Sequence, residues 1–232
     1  MKKGFLSLFT ALTMSLFSIQ ANAVLITSDG IWNSITETGT PNVDGAGTDT
    51  ILWGTAVNAG NSRSAWSFIG LSNFDAGDIT DGSEFELGTF RHKNSPITGG
   101  SITGADLVLD LTIGGNNLGP LTFTFGHDET PNSGTCARTP LPGFGKCPDI
   151  VSIPMATAME TIIIDAIAYE LTIEGFKLSA GGPTLSEFVT QEKADNRAQL
   201  YGSLSRAVPE PSVLALFGLG LLGLGFASRR RR

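Results

Sequence analysis

The stretch Ala105-Asp106-Leu107-Val108-Leu109-Asp110-Leu111-Thr112-Ile113 decides the fold. Ala105, Leu107, Leu109, Leu111 and Ile113 occupy every second position, with Asp106, Val108, Asp110 and Thr112 between them. Successive side chains of a strand point to opposite faces, so this spacing describes a β-strand with one buried face and a mostly polar outer face. Leu121, Phe123 and Phe125 repeat the period, alternating with Thr122 and Thr124, and Gly114-Gly115-Asn116-Asn117 supplies turn residues between the two runs. The pair reads as a β-hairpin with a longer loop.

The same period recurs downstream. Tyr169, Leu171 and Ile173 alternate with Glu170, Thr172 and Glu174, and the apolar phase then slips by one at Gly175 before resuming at Phe176 and Leu178. A one-residue slip at a glycine predicts a β-bulge. Further strands are expected at residues 51–54, 65–71, 85–90, 150–153 and 161–168, the last apolar enough to be buried on both faces. Helical spacing is confined to residues 185–200, where Leu185, Phe188 and Val189 could share a face. Short strands separated by Gly, Pro, Asn and Asp predict an all-β, antiparallel β-sandwich over residues 24–206.

Both ends depart from this pattern. Lys2 and Lys3 precede an apolar run from Phe5 to Ile19 and the triplet Ala21-Asn22-Ala23. That order describes a secretory signal peptide over residues 1–23, cut between Ala23 and Val24. At the other end an apolar run from Val213 to Ala227 is followed by Ser228 and by Arg229, Arg230, Arg231 and Arg232. A helix of that length reaches about 22 Å, short of the ~30 Å hydrocarbon core, so flanking residues and snorkelling arginines must complete a single transmembrane helix. The arginine cluster holds its end in the cytoplasm, and everything between the two runs then lies outside the inner membrane.

Removing the ends changes the charge. Lys2, Lys3 and Arg229–Arg232 are six of the 15 basic residues and Glu210 is one of the 22 acidic ones, which leaves 9 against 21 and a net charge of −12 on residues 24–206. Such a surface repels nucleic acid and anionic lipid and favours solubility, so DNA or RNA binding is excluded. With 41% hydrophobic and 16% charged residues, the chain is also too apolar for disorder.

Cys136 and Cys147 enclose a segment containing Pro140, Pro142, Gly143 and Gly145. In an exported chain an even pair this close is most simply a disulfide. Two thiols alone do not make a metal site, and CxxC redox spacing is absent. No GxSxG, HExxH, P-loop or GxGxxG motif is present, and the histidines are His92 and His127 alone. His127-Asp128-Glu129 alternate faces if extended, so all three would not converge on one ion, and His127 is expected to hydrogen-bond structurally. No catalytic residue and no cofactor is expected. Calcium is the metal the sequence best suits, through Asp75, Asp78 and Asp81 in a glycine-rich loop, although Asp-Gly pairs are also ordinary turn chemistry.

Val208-Pro209-Glu210-Pro211-Ser212, the short glycine-rich apolar run and the terminal arginines together resemble the PEP-CTERM sorting signal of exported Gram-negative proteins, over residues 207–232. The resemblance implies handling by signal peptidase and then by exosortase, which processes such chains near the Pro-Glu-Pro motif and removes the helix. It implies transient anchoring in the inner membrane, then the cell surface or medium.

The intervening domain resembles the THxN family of PEP-CTERM proteins. The naming motif stands here as Arg91-His92-Lys93-Asn94-Ser95-Pro96-Ile97, with His92, Asn94 and Pro96 in place and Arg91 where threonine is expected. Glu129-Thr130-Pro131-Asn132, the Cys136–Cys147 loop, Asp149-Ile150-Val151 and Phe188-Val189-Thr190 through Glu192, Asn196 and Leu200 extend the resemblance. It implies a secreted β-domain from bacteria that build exopolysaccharide, and it implies no catalytic activity. His92 and Asn94 would share one side of an extended strand, either gripping a ligand or glycan or fixing loop backbone, and Pro96 would end the pairing.

Three function classes follow. The first is a structural or adhesive surface or matrix protein linked to exopolysaccharide, biofilm or other surface proteins. The second is a calcium- or carbohydrate-binding module, and the third a secreted hydrolase. A sugar platform would have to use Trp32, Trp53 or Tyr201, since Trp66 and Tyr169 fall in core phases.

Overall fold

The computed structural model describes residues 24–207, apart from 59, 78, 80–81, 132–133, 144–145, 155–158 and 165. The signal peptide, the sorting motif and the apolar tail therefore lie outside the described residues, as do Asp78 and Asp81. Among the described residues no helix is long and apolar enough to cross a membrane.

The strands, in chain order, are β1 (Leu25–Gly39), β2 (Thr50–Trp53), β3 (Thr55–Ala56), β4 (Ser64–Ile69), β5 (Phe74–Asp75), β6 (Glu84–Asn94), β7 (Ile97–Thr98) and β8 (Gly100–Ile113). They continue as β9 (Asn116–Asn117), β10 (Leu121–Asp128), β11 (Asp149–Ser152), β12 (Met159–Ile164), β13 (Ile167–Lys177), β14 (Glu187–Thr190) and β15 (Ala194–Arg206). One antiparallel sheet runs β14-β11-β10-β8-β1-β5, with β9 folded back on β8. The other runs β12-β13-β15-β6-β4-β2, and β3 with β7 forms a small third sheet.

The expected hairpin is β8 with β10, in the register Leu109↔Leu121, Leu107↔Phe123 and Ala105↔Phe125. All six of those side chains are buried, and their inward faces meet the second sheet. Trp32 of β1 lies 5.4 Å from Trp66 of β4, and Phe125 of β10 stacks on Phe90 of β6 at 5.7 Å, so the two sheets pack face to face across one aromatic core. The bulge at Gly175 is present as a register shift between Ile173 and Gly175 against β15. Gly175 has φ +140°, and a Cβ there would sit 2.3 Å from the Leu185 carbonyl oxygen, so both conformation and space require glycine.

Three expectations are corrected. The apolar stretch at 161–168 is not buried on both faces. It forms β12 at the sheet's outer edge and leads into β13, with Ile162 inward while Ile163 is 67% exposed. Residues 185–200 form no helix but the strands β14 and β15, joined by a turn in which Lys193 takes φ +60°. The Asn196 side chain fixes that turn, accepting from the Gln191 N–H at 2.8 Å and donating to the Gln191 carbonyl at 3.0 Å. Finally, Trp32 and Trp53 are fully buried, so neither can serve as a sugar platform. Tyr201 is half-buried beneath the Lys177 ammonium, 4.0 Å from its ring centre.

Cys136 and Cys147 are bridged, with Cα atoms 5.0 Å apart. The bridge closes the Pro/Gly-rich loop just ahead of β11, and Cys147 itself is buried. Alkylation of freshly exported protein under denaturing, non-reducing conditions is expected to label neither thiol, and reduction to lower stability by about 3 kcal/mol. Labelling of both thiols would contradict the bridge.

Candidate functional site

Among the described residues, one group of buried titratable side chains lies against the aromatic core. His92 on β6, His127 on β10 and Asp149 at the start of β11 converge there, and one ligating atom from each lies within 4.8 Å of the other two. His92 and Asp149 are fully enclosed, and His127 nearly so. Strand alternation accounts for this on each strand. Phe90, His92 and Asn94 share the inward face of β6, whereas Arg91 and Lys93 turn outward. On β10, Phe125 and His127 point inward and Asp128 outward, as expected of that triplet. The β10–β11 register sets His127 opposite Val151, which brings Asp149 alongside the end of β10.

The hydrogen bonds fix which ring nitrogens are free. The Thr190 hydroxyl lies 2.8 Å from Nδ1 of His92 and 3.3 Å from the Asp149 carbonyl; with its one hydrogen directed at the carbonyl, it accepts from Nδ1–H of His92, the tautomer that leaves Nε2 free. Nδ1 of His127 lies 3.1 Å from the Ile102 carbonyl, an acceptor only, and must donate to it. A neutral ring with Nδ1 protonated carries its lone pair on Nε2. Neither Nε2 has a hydrogen-bond partner among the described residues, and neither does Oδ2 of Asp149. Nε2 of His127 and Oδ2 of Asp149 are 3.7 Å apart, too far for a hydrogen bond.

The surrounding shell is rigid. Oδ1 of Asp149 accepts from the Thr130 N–H at 2.9 Å, which aims the carboxylate. Asn94 donates through Nδ2 to the Thr190 carbonyl at 3.1 Å. Trp53 stacks on His92 at 5.5 Å, and Trp66 meets His127 edge-on at 5.2 Å. Burial, and secondarily the neighbouring His127, hold His92 well below the ordinary histidine value, so its ring stays neutral at physiological pH. Glu129, bonded by the Ser101 hydroxyl at 2.9 Å, is pushed up chiefly by burial and next by the Asp149 charge.

The site residues read from sequence thus separate. His92 and Asn94 meet at the cluster, where Asn94 bonds the carbonyl of Thr190 at the end of β14, and both side chains are buried away from solvent. Pro96 follows the end of β6, as expected. Asp75 accepts the Gly77 N–H at 2.9 Å, ordinary turn geometry, while its two companion aspartates lie outside the described residues. Asp149 and Thr190 were not singled out as a site from sequence. The signal for both is that Asp149-Ile150-Val151 and Phe188-Val189-Thr190 are among the segments that carry the family resemblance.

Residues 207–232 match the family model described as the PEP-CTERM protein-sorting motif. No curated protein shows significant similarity to the chain. The motif implies export, transient membrane anchoring through the C-terminus and processing by exosortase.

Proposed function

We propose that the chain is a surface or extracellular-matrix protein with a structural or adhesive role, associated with exopolysaccharide and acting without catalysis. The observation that carries this reading is the sorting motif at residues 207–232, which addresses the domain to the cell exterior. Support comes from the enclosure of both histidines and Asp149, since a hydrolytic substrate would have no access to them. A signal peptide over residues 1–23 and a final location at the surface or in the medium belong to the same proposal.

Kinship with the THxN family is part of it. Segments that carry the resemblance supply His92, Asn94, Glu129, Thr130, Asp149 and Thr190, which gather around one buried cluster. The departure at Arg91 is compatible with that kinship. Arg91 faces outward and pairs with Asp195 through two hydrogen bonds of 2.7 and 2.8 Å, and a threonine there would not reach the cluster either.

A polar surface groove of about 390 Å³, lined in part by Ser62, Lys93, Ser95, Lys193 and Asp195, offers two lysine ammonium groups beside one carboxylate. The released protein is expected to co-sediment with exopolysaccharide from its own host, and Lys93→Ala with Lys193→Ala to reduce the sedimented fraction. Protein that stays in the supernatant at every polysaccharide concentration would refute the proposal.

A further inference from the structure

We propose that His92, His127 and Asp149 bind a divalent transition-metal ion of the zinc type, and that this ion clips the two sheets together. The inference goes beyond the proposed role at the cell exterior and is independent of it.

The donor set is the first reason. Two imidazole nitrogens and one carboxylate oxygen suit zinc, whereas calcium takes six to eight oxygens. The bonds behind the donors are the second. Metal-binding histidines donate their other ring N–H to a carbonyl or similar group, which fixes the tautomer and presents the lone pair. His127 does this to the Ile102 carbonyl and His92 to the Thr190 hydroxyl, and both leave Nε2 as the free nitrogen. Oδ1 of Asp149 is held by Thr130, leaving Oδ2 without a protein partner among the described residues.

Distance is the third reason. Two ligands bonded at about 2.0–2.1 Å to one tetrahedral zinc ion lie about 3.3 Å apart. The observed 3.7 Å between Nε2 of His127 and Oδ2 of Asp149 is too long for a hydrogen bond and close to that ligand spacing. With its proton on Nδ1, His127 offers no donor to Asp149, so Nε2 and Oδ2 face each other as two acceptors.

The ligands also span the fold. His92 belongs to the sheet containing β6, while His127 and Asp149 belong to the sheet containing β10 and β11. One ion would therefore cross-link the two layers from inside, two residues from the Cys147 end of the disulfide. Ions in such enclosed sites act on folding and stability rather than on substrate.

The test uses the exported protein purified without a polyhistidine tag, stripped with chelator and titrated with Zn²⁺. The chain contains just two histidines, so its imidazole NMR signals are unambiguous. We expect about one Zn²⁺ per chain by elemental analysis. Both imidazoles should shift together with Nε2 as the metal-bound nitrogen, and the melting temperature should rise. Co²⁺ in place of Zn²⁺ should give the visible absorption of a tetrahedral site. Asp149→Asn keeps the side chain's shape and should weaken zinc at least about tenfold, in line with ligand-shell losses. Imidazole signals unmoved by one equivalent of Zn²⁺ would overturn the proposal, as would zinc bound with both histidines unshifted. The wild-type NMR readout decides even if the variant fails to fold.

Discussion

Trp66→Ala is expected to lower the melting temperature of the exported protein by roughly 6–20 °C. Trp66 is fully buried and touches more of the core's aromatic rings than a strand-edge residue could. Its ring lies 5.4 Å from Trp32, 5.8 Å from Trp53, 5.3 Å from Phe90 and 5.2 Å from His127. Large-to-small truncation in such a place costs about 3–5 kcal/mol, the lost transfer energy plus the cavity left behind. For a chain of this size each kcal/mol moves the melting point by about 2–4 °C. The comparison is Arg91→Ala, which removes a half-exposed pair with Asp195 and should cost at most about 1 kcal/mol. Calorimetry on both variants checks the ranking. If Trp66→Ala shifts the melt no more than Arg91→Ala does, the aromatic layer is not what joins the sheets.

The parts of this core that were legible in sequence share one property: large apolar side chains at every second position. The β8–β10 hairpin and the β13 bulge have it. β1 does not, although it is the longest strand at 15 residues. Its inward positions are Ile26, Ser28, Gly30 and Trp32, and outward it shows Leu25 and Ile31. Gly30 faces inward because a Cβ there would meet Phe68 at 2.7 Å and Leu107 at 2.9 Å. Where two sheets approach closely, the buried residue must be small, and the hydrophobic period disappears. β15 is hidden for a related reason, since the small residues Ala198 and Gly202 occupy inward positions among polar neighbours.

The buried cluster was half legible. His92 and Asn94 stand out through the resemblance to the THxN motif, and the inward direction of His127 follows from alternation. Asp149 could not be joined to them, because nothing local links three residues separated by 35 and then 22 positions. Strand order makes that link. β11 lies next to β10, and β14 next to β11, so that Thr190 pairs with Asp149 and reaches across to His92. Topology of this kind is set by the whole core rather than by any one segment.

Glu210→Ala is expected to leave the full-length chain in the inner membrane, whereas the wild-type protein should be recovered lacking everything from about Ser212 onward. The described fold runs to within one residue of the motif. β15 ends at Arg206, and the Ala207 N–H still donates to the Ala168 carbonyl at 2.9 Å. From Ala207 to the start of the apolar run at Val213 is six residues, at most about 20 Å of extended chain. The domain is therefore held close to the bilayer, with Pro209-Glu210-Pro211 as nearly all of its tether. Proline fixes φ and disfavours helix in the residue before it. The span beyond it suits temporary use. Val213–Ala227 contains Gly218, Gly220, Gly223 and Gly225, which lower both helix propensity and apolar burial in a run already short for the hydrocarbon core. Those glycines are spaced by five, not four, so they do not form the GxxxG face that pairs identical helices. Because the cut falls beyond the last sheet hydrogen bond, the released domain should melt at the same temperature as the tethered one. Intact mass of the native protein and immunoblots of membrane and surface fractions read the outcome directly. Recovery of the Arg229–Arg232 peptide in protein from the cell surface or medium would show instead that the tail is a lasting anchor.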